Sequence, residues 1–169
     1  LIEGCKRRSK MHEEYFFKKY YGFLMGIGRS YVKSEDLAQE IVQDAFLKFF
    51  DSVGKLEQNP VILPWLRRIA VNTAIDYYRK NQKFKLHEEA DGNRLLVEQE
   101  NAIEQLGYQE IIALLEQLPD DQQLIFNLYE VEGYSHKEIA EKLSISESSS
   151  RVYLTRAKHK LRQLIHLHY

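Results

Sequence analysis

Residues 135–164 read SHKEIAEKLSISESSSRVYLTRAKHKLRQL, a pattern of helix, short turn and longer helix. Ser135 with Glu138 three residues on forms a capping box, so the first helix has a defined start. Ile139, Ala140 and Leu143 give that helix one apolar side, with small Ala140 where a second helix must come close. Ser144, Ile145 and Ser146 make the turn, Ile145 as its apolar plug and Ser146 as the N-cap of the second helix. At about 100° per residue, Leu154, Ala157, Leu161, Leu164 and Ile165 fall on one stripe of that second helix. Ser148, Arg151, Thr155, Lys158 and Arg162 fall on another.

Charge decides what the second stripe is for. No acidic residue comes after Glu147, whereas Arg151, Arg156, Lys158, Lys160 and Arg162 all do. A solvated helix face usually mixes signs at i,i+4, and this one keeps one sign. Short Ser148 and Ser149 near its start suit a recognition helix entering a major groove. The plain alternative is a basic surface helix in an ordinary bundle. Tyr153 lies nearer the apolar stripe and reads as core.

A chain of 169 residues accommodates one medium domain or two small ones. Its formal net charge of -1 excludes a protein coated in basic charge, so any nucleic-acid contact must be local. Between residues 86 and 118 Arg94 is the only Lys or Arg, against Glu88, Glu89, Asp91, Glu98, Glu100, Glu104, Glu110 and Glu116. One cysteine, Cys5, excludes an internal disulfide and a multi-cysteine metal site. No apolar run approaches the roughly 20 residues of a membrane span and no signal peptide opens the chain. A cytoplasmic protein is expected. The first residue is Leu1 rather than Met, which reads as a trimmed amino end.

The first 29 residues interleave Lys6, Arg7, Arg8 and Lys10 with Tyr15, Phe16, Phe17, Tyr20, Tyr21 and Phe23, and the bulk of these aromatics reads as helix core, with a surface role left open for two or three. Ser34 caps the next helix, with Glu35 and Asp36 in its first turn where the macrodipole favours them. Leu37, Ile41, Val42, Ala45, Phe46, Phe49 and Phe50 fill a broad buried arc. Gln39, Glu40, Gln43, Asp44 and Lys48 make up the polar arc, and Leu47 stands in its middle. An exposed Leu ringed by amides and carboxylates fits the anchor of a protein-binding face. Gly54, Pro60 and Pro64 mark residues 51–64 as a loop. The helix predicted after it, residues 65–80, buries Leu66, Ile69, Ala70, Thr73 and Tyr77. On its far side Trp65, Arg68, Asn72, Asp76 and Arg79 line up, a surface suited to unstacked bases and phosphates. A snorkelling surface helix with a half-buried Trp is the alternative there. Lys80, Lys83 and Lys85 extend its basic end.

Residues 84–101 turn polar and acidic around Asp91-Gly92-Asn93 and read as an interdomain linker. Helical periodicity resumes at Ile103, Leu106, Ile111, Leu114 and Leu115 and stops at Leu118-Pro119. Pro119, Asp120 and Asp121 open a further helix carrying Leu124, Ile125, Leu128 and Tyr129, with Gly133 as its C′ glycine. Strand signals are nearly absent. The expected architecture is all-α, in two small helical domains at residues 1–83 and 103–169 joined by residues 84–102.

Three blocks now carry a resemblance: residues 38–50 (AQEIVQDAFLKFF), 65–76 (WLRRIAVNTAID) and 118–157 (LPDDQQLIFNLYEVEGYSHKEIAEKLSISESSSRVYLTRA). In this order and spacing they resemble the extracytoplasmic-function group of bacterial sigma factors over nearly the whole chain. The resemblance implies two helical domains, regions two and four, on a flexible linker. Region two would dock on the clamp coiled coil of core RNA polymerase and capture the melted minus-ten element. Region four would read the minus-thirty-five element as duplex while seated on the polymerase flap. Carried over by motif position, Glu40, Gln43, Asp44 and Leu47 would face the clamp. Trp65, Arg68, Asn72 and Asp76, continued by Arg79, would lie at the minus-ten strand, the loop before Trp65 helping to hold a flipped base. Arg151, Val152, Thr155 and Arg156 would lie at the minus-thirty-five groove, with Ser148, Ser149 and Lys158 on the same helix. Arg156 stands off the centre of the basic stripe, which suits a phosphate contact. The chain departs from the family pattern at Ser144, where Gly is frequent, at Val152, where Ser is common, and at Tyr153, where Arg or Gln is usual.

The implied partners are core RNA polymerase, promoter DNA and, for many members of this family, an anti-sigma factor; a monomer is expected. No catalysis, cofactor or metal is expected, because the six histidines show no HExxH spacing and no glycine loop cradles a phosphate. A stand-alone helix-turn-helix regulator would leave the Gln43-Leu47 and Trp65-Asn72 faces unexplained. A helical adaptor would leave the basic last helix unexplained.

Overall fold

The computed structural model describes residues 1–56, 61–81 and 108–168. Every long regular element among them is helical. The chain divides into two compact units, Leu1–Asn81 and Gln82–Tyr169. The expected linker, with Lys83, Lys85, Ile103 and Leu106, lies outside the described residues.

The first unit holds α1 (Ile2–Lys6), α2 (Lys10–Tyr31), α3 (Glu35–Ser52), a 3₁₀ turn (Val53–Lys55) and α4 (Ile62–Asn81). Helices α2, α3 and α4 pack pairwise around one core, and α1 lies against α2 and the 3₁₀ turn. Ser34 caps α3 as expected, its Oγ accepting the Leu37 N–H. Phe16, Leu24, Ile41, Val42, Phe49, Leu66 and Ala70 are buried. Phe16 stacks on Phe49 with ring centroids 4.2 Å apart. Gly28 lets α2 reach α3: a Cβ there would meet the Ala38 carbonyl oxygen at 3.1 Å.

Three expectations for this unit need correction. Helix α4 starts at Ile62, so Pro64 lies in its first turn instead of ending the loop. Backbone N–H groups in a first turn have no intrahelical acceptor, so proline costs nothing there. Tyr78 is buried in the place expected for Tyr77, which is half-exposed, as is Ile69. Leu37 and Phe50 sit at the edge of the α3 arc rather than inside it. Tyr15 is exposed, together with Met11 one turn earlier, and of the first aromatics only Phe16 is fully buried.

The second unit holds α5 (Tyr108–Leu115), α6 (Asp120–Phe126), a π turn (Asn127–Val131), α7 (His136–Leu143) and α8 (Glu147–His168). Leu114, Leu115 and Leu118 pack with Ala157, Leu161, Leu164 and Ile165 of α8. Pro119 is the residue before α6 rather than its first turn. The helix expected to run on to Gly133 widens after Phe126. The Glu132 N–H donates to the Asn127 carbonyl and the Tyr134 N–H to that of Leu128, both at 2.9 Å, and Gly133 closes the turn at φ +76°. Leu124 and Leu128 keep ordinary helical spacing, so nothing in the pattern announces the π turn.

The Ser135–Glu138 capping box is complete, with the Ser135 N–H donating to the Glu138 carboxylate at 2.8 Å. At the other end of α7, Ser144 takes φ 56° and ψ 45°, and the Ile145 N–H reaches back to the Ala140 carbonyl at 3.1 Å. This is a left-handed helix stop built on a residue with a Cβ, at a cost of about 1–2 kcal/mol. Glycine removes that cost but loses more freedom on folding, by roughly 0.5–1 kcal/mol. Ser144→Gly is therefore expected to stabilise this unit by about 0.5–1 kcal/mol, seen as a higher denaturation midpoint. An unchanged or lower midpoint would mean that Ser144 is not strained.

Candidate nucleic-acid and protein-docking surfaces

Helix α8 turns its apolar stripe into its own unit: Leu154, Ala157, Leu161, Leu164 and Ile165 are all buried. Ser146 caps it, Oγ accepting the Ser149 N–H at 3.0 Å and hydrogen-bonding the hydroxyls of Ser148 and Ser149 at 2.9 and 2.8 Å. Those two serines thus complete the cap while remaining at the surface. Arg151, Val152 and Thr155 face outward. The Thr155 hydroxyl donates to the Arg151 carbonyl at 2.9 Å. Arg156 is half-buried, as is Tyr153, whose hydroxyl pKa is raised by burial and then by nearby Asp121.

The one-sign face changes once the chain is folded. Arg151 pairs with Glu147 at 3.1 Å. Lys158 pairs at 2.7 Å with Glu130, which the π turn brings alongside. Sequence spacing along one helix could not reveal that second carboxylate.

On α4, Arg68 and Arg79 are exposed and Trp65, Asn72 and Asp76 are half-buried. The Trp65 ring lies 5.0 Å, centroid to centroid, from that of Phe49, so one side of the indole belongs to the core. Asp76 is engaged within the unit, its carboxylate accepting from the Lys48 ammonium at 3.0 Å. The same ammonium donates to Thr73 Oγ1 at 3.1 Å, and the Thr73 hydroxyl donates to the Ile69 carbonyl at 2.8 Å. Spacing makes Lys48 only part of a polar arc; its pairing residue is 28 positions on. Just before Trp65, Val61 and Leu63 are exposed apolar side chains.

On α3, Glu40, Gln43 and Asp44 are exposed and Leu47 is 63% exposed between them and Lys48. Spacings of three, four and seven residues place the four on one helix face. Among the described residues no group of three or more His, Cys, Asp or Glu gathers to hold a metal, and no helix is long and apolar enough to cross a membrane.

Two family models match the chain: Sigma-70 region 2 over residues 16–84 and Sigma-70 region 4 over residues 108–161. The ECF RNA polymerase sigma factor SigM of Bacillus subtilis is 26% identical over 88% of this chain and 90% of its own length. The chain belongs to the extracytoplasmic-function sigma factors. The sigma-E factor of Escherichia coli is 25% identical over 94% of this chain and 88% of its own. A solved structure of the sigma factor RpoE with the anti-sigma factor NepR from Bartonella quintana shares the fold. That match has a TM-score of 0.51 and 19% identity, and it covers 90% of this chain and 95% of that one. As a sigma factor the protein is a transcription-initiation factor, directing promoter-specific initiation through RNA polymerase. Within the sigma factor, α3 and α4 fall in the region-two match, and α6 and α7 with most of α8 in the region-four match.

Proposed function

We propose that the faces described divide the work of initiation. Glu40, Gln43, Asp44 and Leu47 dock on the clamp coiled coil of core polymerase. Trp65, Arg68, Asn72 and Arg79 hold the melted minus-ten strand, stabilising bases only once they leave the stack, which biases the duplex toward opening without ATP. Asp76 sits in the same row but serves through Lys48, which keeps its negative charge from facing the strand unpaired. Arg151, Val152 and Thr155 read the minus-thirty-five groove, with Arg156 and Lys158 on phosphates and region four seated on the flap. The protein works as a cytoplasmic monomer without catalysis or cofactor, and an anti-sigma factor covers one of these faces when it is silent. RpoE of Bartonella quintana was solved with the anti-sigma factor NepR, which supports that last reading.

The observation that carries the proposal is the outward row Arg151, Val152, Thr155 on a helix whose opposite stripe is fully buried. Run-off transcription from a pool of genomic fragments, with purified core polymerase, tests it. Discrete transcripts that need the added chain support the proposal. Tight DNA binding with no effect on core would favour the stand-alone regulator.

The Glu130–Lys158 pair gives a sharper check. An exposed pair of this kind is worth about 0–1 kcal/mol, which promoter phosphate must displace. Glu130→Gln should therefore raise affinity for promoter duplex by up to about fivefold at low salt. The salt slope should steepen by up to about one unit. Unchanged affinity and slope would place Lys158 off the DNA.

A further inference from the structure

His136 opens α7 and Ser150 stands near the start of α8, immediately before Arg151. The His136 Nδ1 lies 2.9 Å from the Ser150 Oγ, and Ser150 is 0% exposed. The imidazole also stacks on Tyr129 of the π turn, centroids 4.5 Å apart and planes 24° from parallel. Three elements thus meet at one ring, and neither His136 nor Ser150 belongs to the faces assigned to polymerase or promoter.

Helix α7 packs on α8, and Ile139, Ala140 and Leu143 of α7 and Leu154 of α8 are buried apolar side chains. Apolar burial is non-directional and tolerates small rotations and slides. A hydrogen bond is directional, preferring a near-linear geometry and weakening steeply below about 120°. A bidentate base contact needs its helix placed more closely than a phosphate contact does.

We propose that His136 is a positioning residue which, through Ser150, sets the seating of α8 for sequence-specific readout. The inference rests on the assignment of α8 to the promoter duplex. Neutral imidazole can accept from or donate to the buried hydroxyl at Nδ1, whereas imidazolium can only donate, which forces the hydroxyl to accept and places a charge where burial disfavours it. A cation there would also meet the positive end of the α7 dipole. The charged groups around the ring are Arg151, Glu147 and Lys158 on α8. Glu130 of the π turn is paired with Lys158, and Glu138 of α7 is held by Ser135. Burial first, then Arg151, keep the His136 pKa below its ordinary 6.5, with Glu147 opposing. The neutral ring is therefore the working form above that value, and seating is lost as pH falls through the lower folded value.

The test uses the full chain bound to core polymerase. A randomised duplex pool is selected on the wild-type holoenzyme, and the winning duplex and a scrambled control of equal composition serve as probes. The pair His136→Phe with Ser150→Ala removes both hydrogen-bonding groups yet keeps an aromatic ring, an exchange that can be nearly neutral for stability. This double variant should unfold near the wild-type midpoint and bind the scrambled duplex normally. Its preference for the selected duplex should fall about tenfold, comparable to losing one read base pair. His136→Asn, which can still present a polar atom near Nδ1, should recover part of the preference. Wild-type preference should hold at the ordinary imidazole value and fall only as pH drops through the lower folded value, while that of the double variant stays flat; taking the ratio of two duplexes cancels charge effects common to both. A double variant with wild-type preference and pH profile would overturn the positioning role alone. A wild-type chain that selects no duplex would overturn the assignment of α8 and the positioning role with it.

Discussion

Leu47→Asp should lower affinity for core polymerase about 30-fold or more, the loss of a hot-spot anchor worth at least ~2 kcal/mol. Leu47 is 63% exposed, so the fold does not depend on burying it; surface changes of this kind stay within about 0.5 kcal/mol of stability. The new carboxylate would sit one turn from Asp44 and Gln43 on the same helix face. In the proposed complex it would have to shed its water where an apolar side chain docks, which adds to the loss of the apolar contact. Leu47→Ala should lose less, and Gln43→Ala less again, because residues around an anchor mainly exclude water. Titration of labelled protein against purified core measures the affinity, and circular dichroism checks the fold. Undiminished affinity for the Asp variant would remove the α3 face from the docking surface.

Arg151→Ala should cost about 1–3 kcal/mol at the base pair it reads and relax preference at that pair. Arg151 is exposed and held at 3.1 Å by Glu147 one turn before it. That tether orients the guanidinium without burying it, so the group remains available to a groove. The measurement compares the selected duplex with single-base variants at each position. A uniform loss on every sequence, with the salt slope reduced by about one, would make Arg151 a phosphate contact. Glu147→Gln supplies the internal control: it frees the guanidinium and should raise affinity for all duplexes alike.

The two surfaces differ in how well the sequence exposes them. Leu47 is legible because a helix of known period places one apolar side chain in a polar arc, and the structure leaves it exposed there. The row on α4 is legible as a row, yet its chemistry is not. Asp76 reads from spacing as part of a strand-binding face, and folding gives it to Lys48. The basic stripe of α8 reads as one sign, and folding sets Glu130 against Lys158. A carboxylate on another helix leaves no periodic trace in the segment it neutralises.

Sequence alone determined the helical class, the capping box at Ser135, the turn after Leu143 and the apolar periodicity of α8. Each of these rests on interactions within one or two turns, where residue type and spacing are sufficient causes. Tertiary structure alone decided the π turn after Phe126, the Lys48–Asp76 and Glu130–Lys158 pairs, and the contact of His136 with Ser150. The two ion pairs and the His136 contact join residues far apart along the chain, 28 positions for Lys48 and Asp76 and 14 for His136 and Ser150. Their geometry depends on the angle and depth at which whole helices pack, which is the sum of many small apolar contacts and is carried by no local motif.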